Sequence, residues 1–209
     1  MTLRDAYVAS VVGLLALVAV TVLLAFRQRS IRRFKVAELA TLALLICLLY
    51  VAAIPWQVGL AKVPGIDALV FSIPYTAVLL LGLRLVPKPG AATVLVCGAG
   101  LFGQLLGRGL NPAWWPYYLW CGVSLDLYLM LVGHALHSFR AMLGAAVLRG
   151  LLAYSYMYLL LAPVLWKQFY AWWYVGLKVS LGVVGCAIGA WLAWRLAPPI
   201  ERATRYAAP

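Results

Sequence analysis

The sequence predicts an all-α integral membrane protein with about seven transmembrane helices. Three observations lead to this fold class. The chain is 66% hydrophobic and only 11% charged, its mean hydropathy is +0.98, and apolar runs of the length that crosses a bilayer, about 20 residues, occupy nearly all of it. A soluble domain of 209 residues has to present polar groups over much of its surface, so this composition indicates lipid as the solvent.

The apolar runs define the expected spans and leave no room for a separate soluble domain. The first run is longer than a typical signal-peptide core and its strongest positive charge follows it, so we expect a retained signal-anchor helix. The expected organisation is an N-terminal transmembrane helix and basic cytoplasmic loop over 1–35, a six-helix membrane bundle over 36–197, and a short basic cytoplasmic tail over 198–209. The seven runs are 7–26, 37–55, 67–86, 91–107, 117–137, 148–166 and 171–195.

Lysine and arginine residues are distributed unequally between the two ends of these spans. One end collects twelve of them, and the other end collects Arg4, Lys62, Arg108 and Lys167. Because cytoplasmic loops are enriched in these residues, we expect a multi-pass protein of the cell membrane with its N-terminus outside and its C-terminus in the cytoplasm. The +12 net charge then lies against anionic lipid and does not indicate nucleic-acid binding. The twelve residues are Arg27, Arg29, Arg32, Arg33, Lys35, Arg84, Lys88, Arg140, Arg149, Arg195, Arg202 and Arg205.

Aromatic residues are concentrated at the expected outer ends of the spans, and Trp191 and Trp194 alone among the tryptophans lie on the inner side. Tryptophan and tyrosine favour the headgroup zone on both faces of a bilayer. The one-sided distribution therefore leaves two interpretations open, an aromatic belt alone or a belt together with an outward-facing ligand pocket. The outer group comprises Trp56, Trp114, Trp115, Trp120, Trp166, Trp172 and Trp173, accompanied by Tyr117, Tyr118, Phe169, Tyr170 and Tyr174.

Three polar side chains are expected inside the membrane at a similar depth from the outer side. Asp126 and Lys178 lie roughly 13 Å and 10 Å along the fifth and seventh spans, at about 1.5 Å per residue. Gln104 lies in the outer third of the fourth span. Ionisable groups at such depth are costly unless they are paired or hydrated. We therefore predict either a structural ion pair between Asp126 and Lys178 or a polar ligand site to which one or both contribute.

Motifs for catalysis or metal binding are not recognisable in the sequence. The stretch "GAGLFG" lies inside an apolar run rather than after a strand, and no serine sits in a nucleophile elbow. The four cysteines fall in four different spans, and His134 and His137 have no third ligand nearby in sequence. We expect neither an enzyme nor a bound metal or other cofactor.

The six-helix unit 36–197 carries a recognisable order of short motifs. It opens with the basic, small-residue-rich helix of "RRFKVAELATLALLICLLYVAAIP"; the turn "PKPGAA" then opens a glycine-rich helix, and the next span has Gly122 four residues before Asp126. This order resembles the substrate-binding S-component of energy-coupling-factor vitamin transporters. The turn and the Gly122–Leu127 pattern are most similar to the thiamine-precursor branch of that family.

The resemblance implies capture of a small vitamin-like heterocycle from outside and docking to a membrane coupling subunit driven by two cytoplasmic ATPases. It also implies a pocket that opens outward among the last three helices and the loop between the first two helices of the bundle. A planar or cationic ring would suit such a site through stacking and charge pairing. The residues expected to line it are Trp114, Trp115, Tyr117, Tyr118, Trp120, Asp126, Trp172, Trp173, Lys178 and Gln104.

Two other functions remain open at this point. An accessory subunit of a larger membrane complex, for example a respiratory assembly, would use the glycine-rich faces of the fourth and seventh spans for packing. In that protein an Asp126–Lys178 pair would be structural. An integral-membrane enzyme acting on lipids is the third class, and no motif supports it.

Overall fold

The computed structural model describes residues 3–27, 34–57, 66–133 and 136–206, and over these ranges the chain is helical without strands. The all-α class is therefore confirmed for the described residues. A π-helical turn, Gln104–Arg108, follows the helix Ala91–Gly103, and a second one, Met157–Leu161, lies within the helical segment Phe139–Trp166. The helices are α1 Leu3–Arg27, α2 Val36–Gln57, α3 Ile66–Leu85, α4 Ala91–Gly103, α5 Trp115–Val132, α6 Phe139–Trp166 and α7 Trp172–Tyr206.

Four segments are long and apolar enough to cross a membrane by length and composition, and two further apolar helices are shorter. The side chains on the outside of the bundle are apolar as well, with Leu15, Leu44 and Leu131 among the most exposed. A continuous surface of this kind is unfavourable in water and favourable in lipid. The long segments are Arg4–Arg27, Ile66–Leu85, Phe139–Trp166 and Trp172–Arg202, and the shorter ones are Val36–Ala52 and Ala91–Gly107.

Two helix boundaries differ most from those predicted, the start of α6 and the end of α7. The helix α6 begins at Phe139, where the hydroxyl of Ser138 caps it by accepting from the backbone N–H of Ala141 at 3.1 Å. The predicted start near residue 148 relied on two arginines as loop residues, and Arg149 instead lies well inside the helix. At the other end, α7 continues through two prolines to Tyr206, so the boundary expected at residue 198 falls within a helix.

Glycines allow the helices to approach one another closely. A Cβ on Gly185 would lie 2.6 Å from the carbonyl oxygen of Leu69, and one on Gly189 would lie 2.6 Å from that of Ile73. The backbones of α3 and α7 are therefore in direct contact, as the glycine spacing of the seventh span predicts. The main hydrophobic core draws its described residues from α2 to α7.

The helix α1 lies at the periphery of this six-helix core. The indole Nε1 of Trp120 donates to the backbone carbonyl of Ser10 at 3.1 Å, and the Ser10 hydroxyl lies 3.1 Å from that of Tyr156. Only 17% of the residues in the most apolar part of α1 are buried. The helices α2–α7 thus form the packed core, and α1 is attached to it through α5 and α6.

Candidate ligand-binding cavity

A cavity of about 140 Å³ lies inside the bundle, at the end where α4 ends and α5 begins. Small residues on α4 and α6 leave the space open, among them Ala99, Gly103 and Ala153. Helices α2 to α6 all contribute to its lining, and nearly half of the lining residues are aromatic. The aromatic members are Tyr50, Phe71, Tyr75, Trp114, Tyr117, Tyr118, Tyr154 and Tyr158.

The stretch "NPAWWPYY" builds one wall of the cavity. The Asn111 side chain caps the short 3-10 turn Pro112–Trp114 by accepting from the N–H of Ala113 at 3.0 Å, and prolines in the first turns favour the helical start. The Trp114 ring then stacks on Tyr118 with centroids 6.1 Å apart. The start of this helix therefore places the rings of Trp114 and Tyr118 at the cavity.

A hydrogen-bonded tyrosine forms another part of the cavity wall. The hydroxyl of Tyr154 donates to the carbonyl oxygen of Ala68 at 2.9 Å and lies 2.6 Å from the Ser72 hydroxyl. Both partners belong to α3, so these bonds tie α6 to α3 beside the cavity. The position of the Tyr154 ring is therefore set by the fold.

Arg149 is the charged group among the described residues that line the cavity. It lies about 15 Å along α6 from Phe139, at 1.5 Å per residue, and is 5% exposed. Its Nη1 atom donates to the hydroxyl of Thr76 at 2.8 Å and to the sulfur of Cys186 at 3.1 Å. Its guanidinium carbon lies 4.3 Å from the ring centroid of Tyr75. Residues of α3 and α7 thus hold the guanidinium at the cavity.

No carboxylate forms an ion pair with Arg149 within the described residues. The chain contains five acidic residues, all of them in the described ranges, and none of them lies within ion-pair distance of Arg149. Glu38 pairs with Lys88, Asp67 with Lys178 and Glu201 with Arg84, while Asp126 binds the start of α4, and Asp5 lies in the first turn of α1. A buried cation without a countercharge is costly, and one at membrane depth indicates a functional site.

Asp126 does not contribute to the cavity, and its predicted pairing with Lys178 is wrong. Its carboxylate accepts hydrogen bonds from the backbone N–H groups of Ala92 at 3.1 Å and Thr93 at 3.0 Å, and from the Thr93 hydroxyl at 2.6 Å. The N-cap residue, Gly90, has no side chain to do this. A helix N-terminus carries partial positive charge, so the carboxylate satisfies α4 there.

The shared depth predicted for Asp126 and Lys178 is also wrong. Asp126 contacts the first turn of α4, whereas the cavity is lined by the later residues of that helix. Lys178 lies toward the other end of the bundle, where its Nζ donates to both carboxylate oxygens of Asp67. Counting residues along one span does not show which part of a neighbouring helix a side chain contacts. The sequence therefore could not reveal that Asp126 contacts the first turn of α4.

The ion pair between Lys178 and Asp67 is enclosed next to the cavity. The two side chains are 2% and 4% exposed, and the rings of Tyr158 and Tyr174 lie 5.8 Å and 5.3 Å from the ammonium. Tyr158 also lines the cavity, so the same ring contacts both the cavity and the surroundings of the pair. Lys178 is therefore paired, as a buried charge has to be. Its partner, Asp67, was not predicted, because Asp67 was expected at the end of a span and therefore near water.

The other predicted site residues divide into two groups. Trp114, Tyr117 and Tyr118 line the cavity. Trp115 meets Tyr118 edge-on at 6.3 Å, Trp120 binds α1, and Trp172 and Trp173 are 80% and 71% exposed on the bundle surface. The carbonyl oxygen of the Gln104 side chain accepts from the N–H of Asn111 at 3.1 Å, and its buried Nε2 has no hydrogen-bond partner among the described residues.

The sequence prediction missed Arg149, Tyr75 and Tyr154 as cavity residues. The signal for Arg149 was present in "HSFRAMLGAAVLRGLL", where Ser138 is a favourable N-cap and no proline follows. A helix starting there would have placed Arg149 at mid-membrane depth.

No family model, curated protein or solved structure matches this chain.

Proposed function

We propose that this protein is the membrane-embedded solute-binding component of an uptake system and that the aromatic cavity is its ligand site. The observation that carries the proposal is a cavity of about 140 Å³ walled by tyrosine and tryptophan rings around one buried arginine. Protein interiors leave few voids larger than a water molecule. Ligand sites are concave and mostly apolar or aromatic, with a small number of polar groups that orient the ligand.

The size of the cavity favours a ligand with one ring. An apolar cavity of about 150 Å³ accommodates benzene, and this cavity has nearly the same volume. A two-ring compound such as thiamine exceeds it, whereas a single-ring vitamin or vitamin precursor fits. The resemblance to S-components supports this class of solute, with a membrane coupling subunit and two cytoplasmic ATPases as the proposed partners.

The proposed orientation places the N-terminus outside, the C-terminus in the cytoplasm and the cavity on the outer side of the cell membrane. Moving Arg149 into the bundle leaves eleven of the twelve basic residues on the proposed cytoplasmic side, against four on the other. The charge bias that supports the orientation is therefore retained.

A steric block of the cavity tests the proposal. Gly103 lines the cavity, and a Cβ there would have the Tyr50 ring 3.9 Å away, so a larger side chain is tolerated by the backbone but takes up ligand space. Gly107 provides a matched control on the same segment, because it is exposed and a Cβ on it would meet nothing within 4 Å. The variants are Gly103→Leu and Gly107→Leu.

The measurement is the melting temperature of the purified protein with thiamine, its pyrimidine precursor and a panel of single-ring vitamins and precursors. A ligand that binds the native state raises this temperature. We expect a single-ring compound to stabilise the unmodified protein and Gly107→Leu but not Gly103→Leu. A panel without effect on the unmodified protein, or an equal effect on Gly103→Leu, would contradict the proposal and favour an accessory subunit of a larger complex.

A further inference from the structure

We propose that the ligand of the cavity is a small planar anion, a single ring bearing a carboxylate, and that Arg149 binds this carboxylate. The inference rests on the proposed function, since it names the substrate class of the same cavity. It is carried by two observations, the unpaired charge of Arg149 and the geometry of its guanidinium.

The charge inside the cavity is positive. Arg149 is 5% exposed and, within the described part of the chain, has no carboxylate within ion-pair distance. The neighbouring buried cation, Lys178, is already neutralised by Asp67. Because Asp126 binds the start of α4 instead of the cavity, a cationic ligand would meet repulsion here without a countercharge. An anionic ligand supplies the missing partner.

The hydrogen bonds of Arg149 leave one side of the guanidinium for a ligand. Both bonds that it makes to described residues come from Nη1, to Thr76 and to Cys186. The Nε and Nη2 atoms therefore retain N–H groups for another acceptor. A carboxylate matches this pair of donors, since arginine binds it through two parallel hydrogen bonds in a fixed planar arrangement.

The surrounding rings select a planar group. Tyr75 already stacks against the guanidinium of Arg149, and Tyr117 and Trp114 line the same cavity. Aromatic side chains bind flat rings in offset-stacked or edge-on contacts. A ring attached directly to the carboxylate places its π-system among these side chains while the carboxylate contacts Arg149.

Matched probes test the charge requirement separately from the requirement for a ring. Benzoate and benzamide have nearly the same shape but differ in charge, as do nicotinate and nicotinamide. Their dissociation constants are measured by calorimetry on the purified full chain and on Arg149→Gln. In the unmodified protein we expect at least one carboxylate to bind at least tenfold more tightly than its amide. In Arg149→Gln we expect this preference to disappear while the amide binds as before.

A second variant covers failure of Arg149→Gln to fold. Arg149→Lys keeps the positive charge but loses the paired donors, so we expect the carboxylate preference to decrease and not to vanish. An undiminished preference in Arg149→Lys or Arg149→Gln would overturn the contact with Arg149.

The remaining outcomes separate this inference from the proposed function. If amides or other neutral rings bind the unmodified protein as tightly as the carboxylates, the anion inference is wrong and the solute-binding function stands. If no ring compound binds, charged or neutral, the proposed function fails and the inference fails with it.

Discussion

Removal of the negative charge of Asp67 is expected to destabilise the protein strongly. The change Asp67→Asn leaves the ammonium of Lys178 buried without a countercharge, because the two side chains are only 4% and 2% exposed. The rings of Tyr158 and Tyr174 lie near the ammonium both with and without the Asp67 charge, so their cation–π attraction, about 2 kcal/mol or more when desolvated, is common to both proteins and cancels from the comparison. Breaking a buried ion pair on one side costs about 3–5 kcal/mol, so the rings do not compensate for the loss.

The assay is the free energy of unfolding in detergent, measured by titration with SDS. The matched control is Glu38→Gln, which breaks an ion pair with Lys88 whose side chains are 25% and 15% exposed. A partly exposed pair contributes about 0–1 kcal/mol, so this change should have a small effect. Removing both charges of the buried pair, in Asp67→Asn with Lys178→Met, should restore most of the lost stability.

Two results would refute the reasoning on this pair. One is a loss for Asp67→Asn no larger than that for Glu38→Gln, which would mean that the enclosed ammonium reaches water or another anion. The other is a double variant whose destabilisation equals the sum of the two single changes, since a cycle without coupling energy excludes a direct interaction.

Three further predictions concern the packing of α4 and the aromatic residues. Asp126→Asn removes a charged acceptor from the start of α4 and should lower the unfolding free energy by about 1–3 kcal/mol. Ligand affinity should not change, and a loss of affinity without a loss of stability would show that Asp126 contacts the ligand. Gly122→Ala places a Cβ 2.6 Å from the backbone of α4 and should cost about 1–3 kcal/mol in the same titration, and unchanged stability would show that the helices separate readily. Trp114→Ala should weaken binding of the ligand by about tenfold, the equivalent of 1.4 kcal/mol, whereas Trp172→Ala and Trp173→Ala should leave its dissociation constant unchanged, and the reverse pattern would move the site to the surface of α7.

Features that depend on local sequence were predictable. The use of one face of α7 for close packing follows from the spacing of Gly185 and Gly189, because small residues four apart lie on one helix face, whereas the identity of the partner, α3, comes from the structure. The aromatic wall that includes Trp114 and Tyr118 likewise follows from a helix start marked by prolines and asparagine. In both cases neighbours along the chain specify the structure.

Features that depend on contacts between helices were not predictable in the same way. Asp67 and Lys178 pair across α3 and α7, and the sequence gives no register between these helices. Asp126 accepts hydrogen bonds from backbone N–H groups of α4, and because every residue except proline has such a group, the sequence does not show which ones a side chain binds. Arg149 was misplaced for a different reason, since its basic side chain was counted as evidence for a loop although the helix around it is otherwise apolar.

The central claim, that a solute binds inside the aromatic cavity, is tested most directly by tryptophan fluorescence. Trp114 lines the cavity, whereas Trp172 and Trp173 are exposed on the surface. We predict that a single-ring compound changes the fluorescence of the unmodified protein saturably, and that the change disappears in Trp114→Phe although calorimetry still detects binding. A saturable change of the same size in Trp114→Phe, or no change with any ring compound in the unmodified protein, would contradict the account.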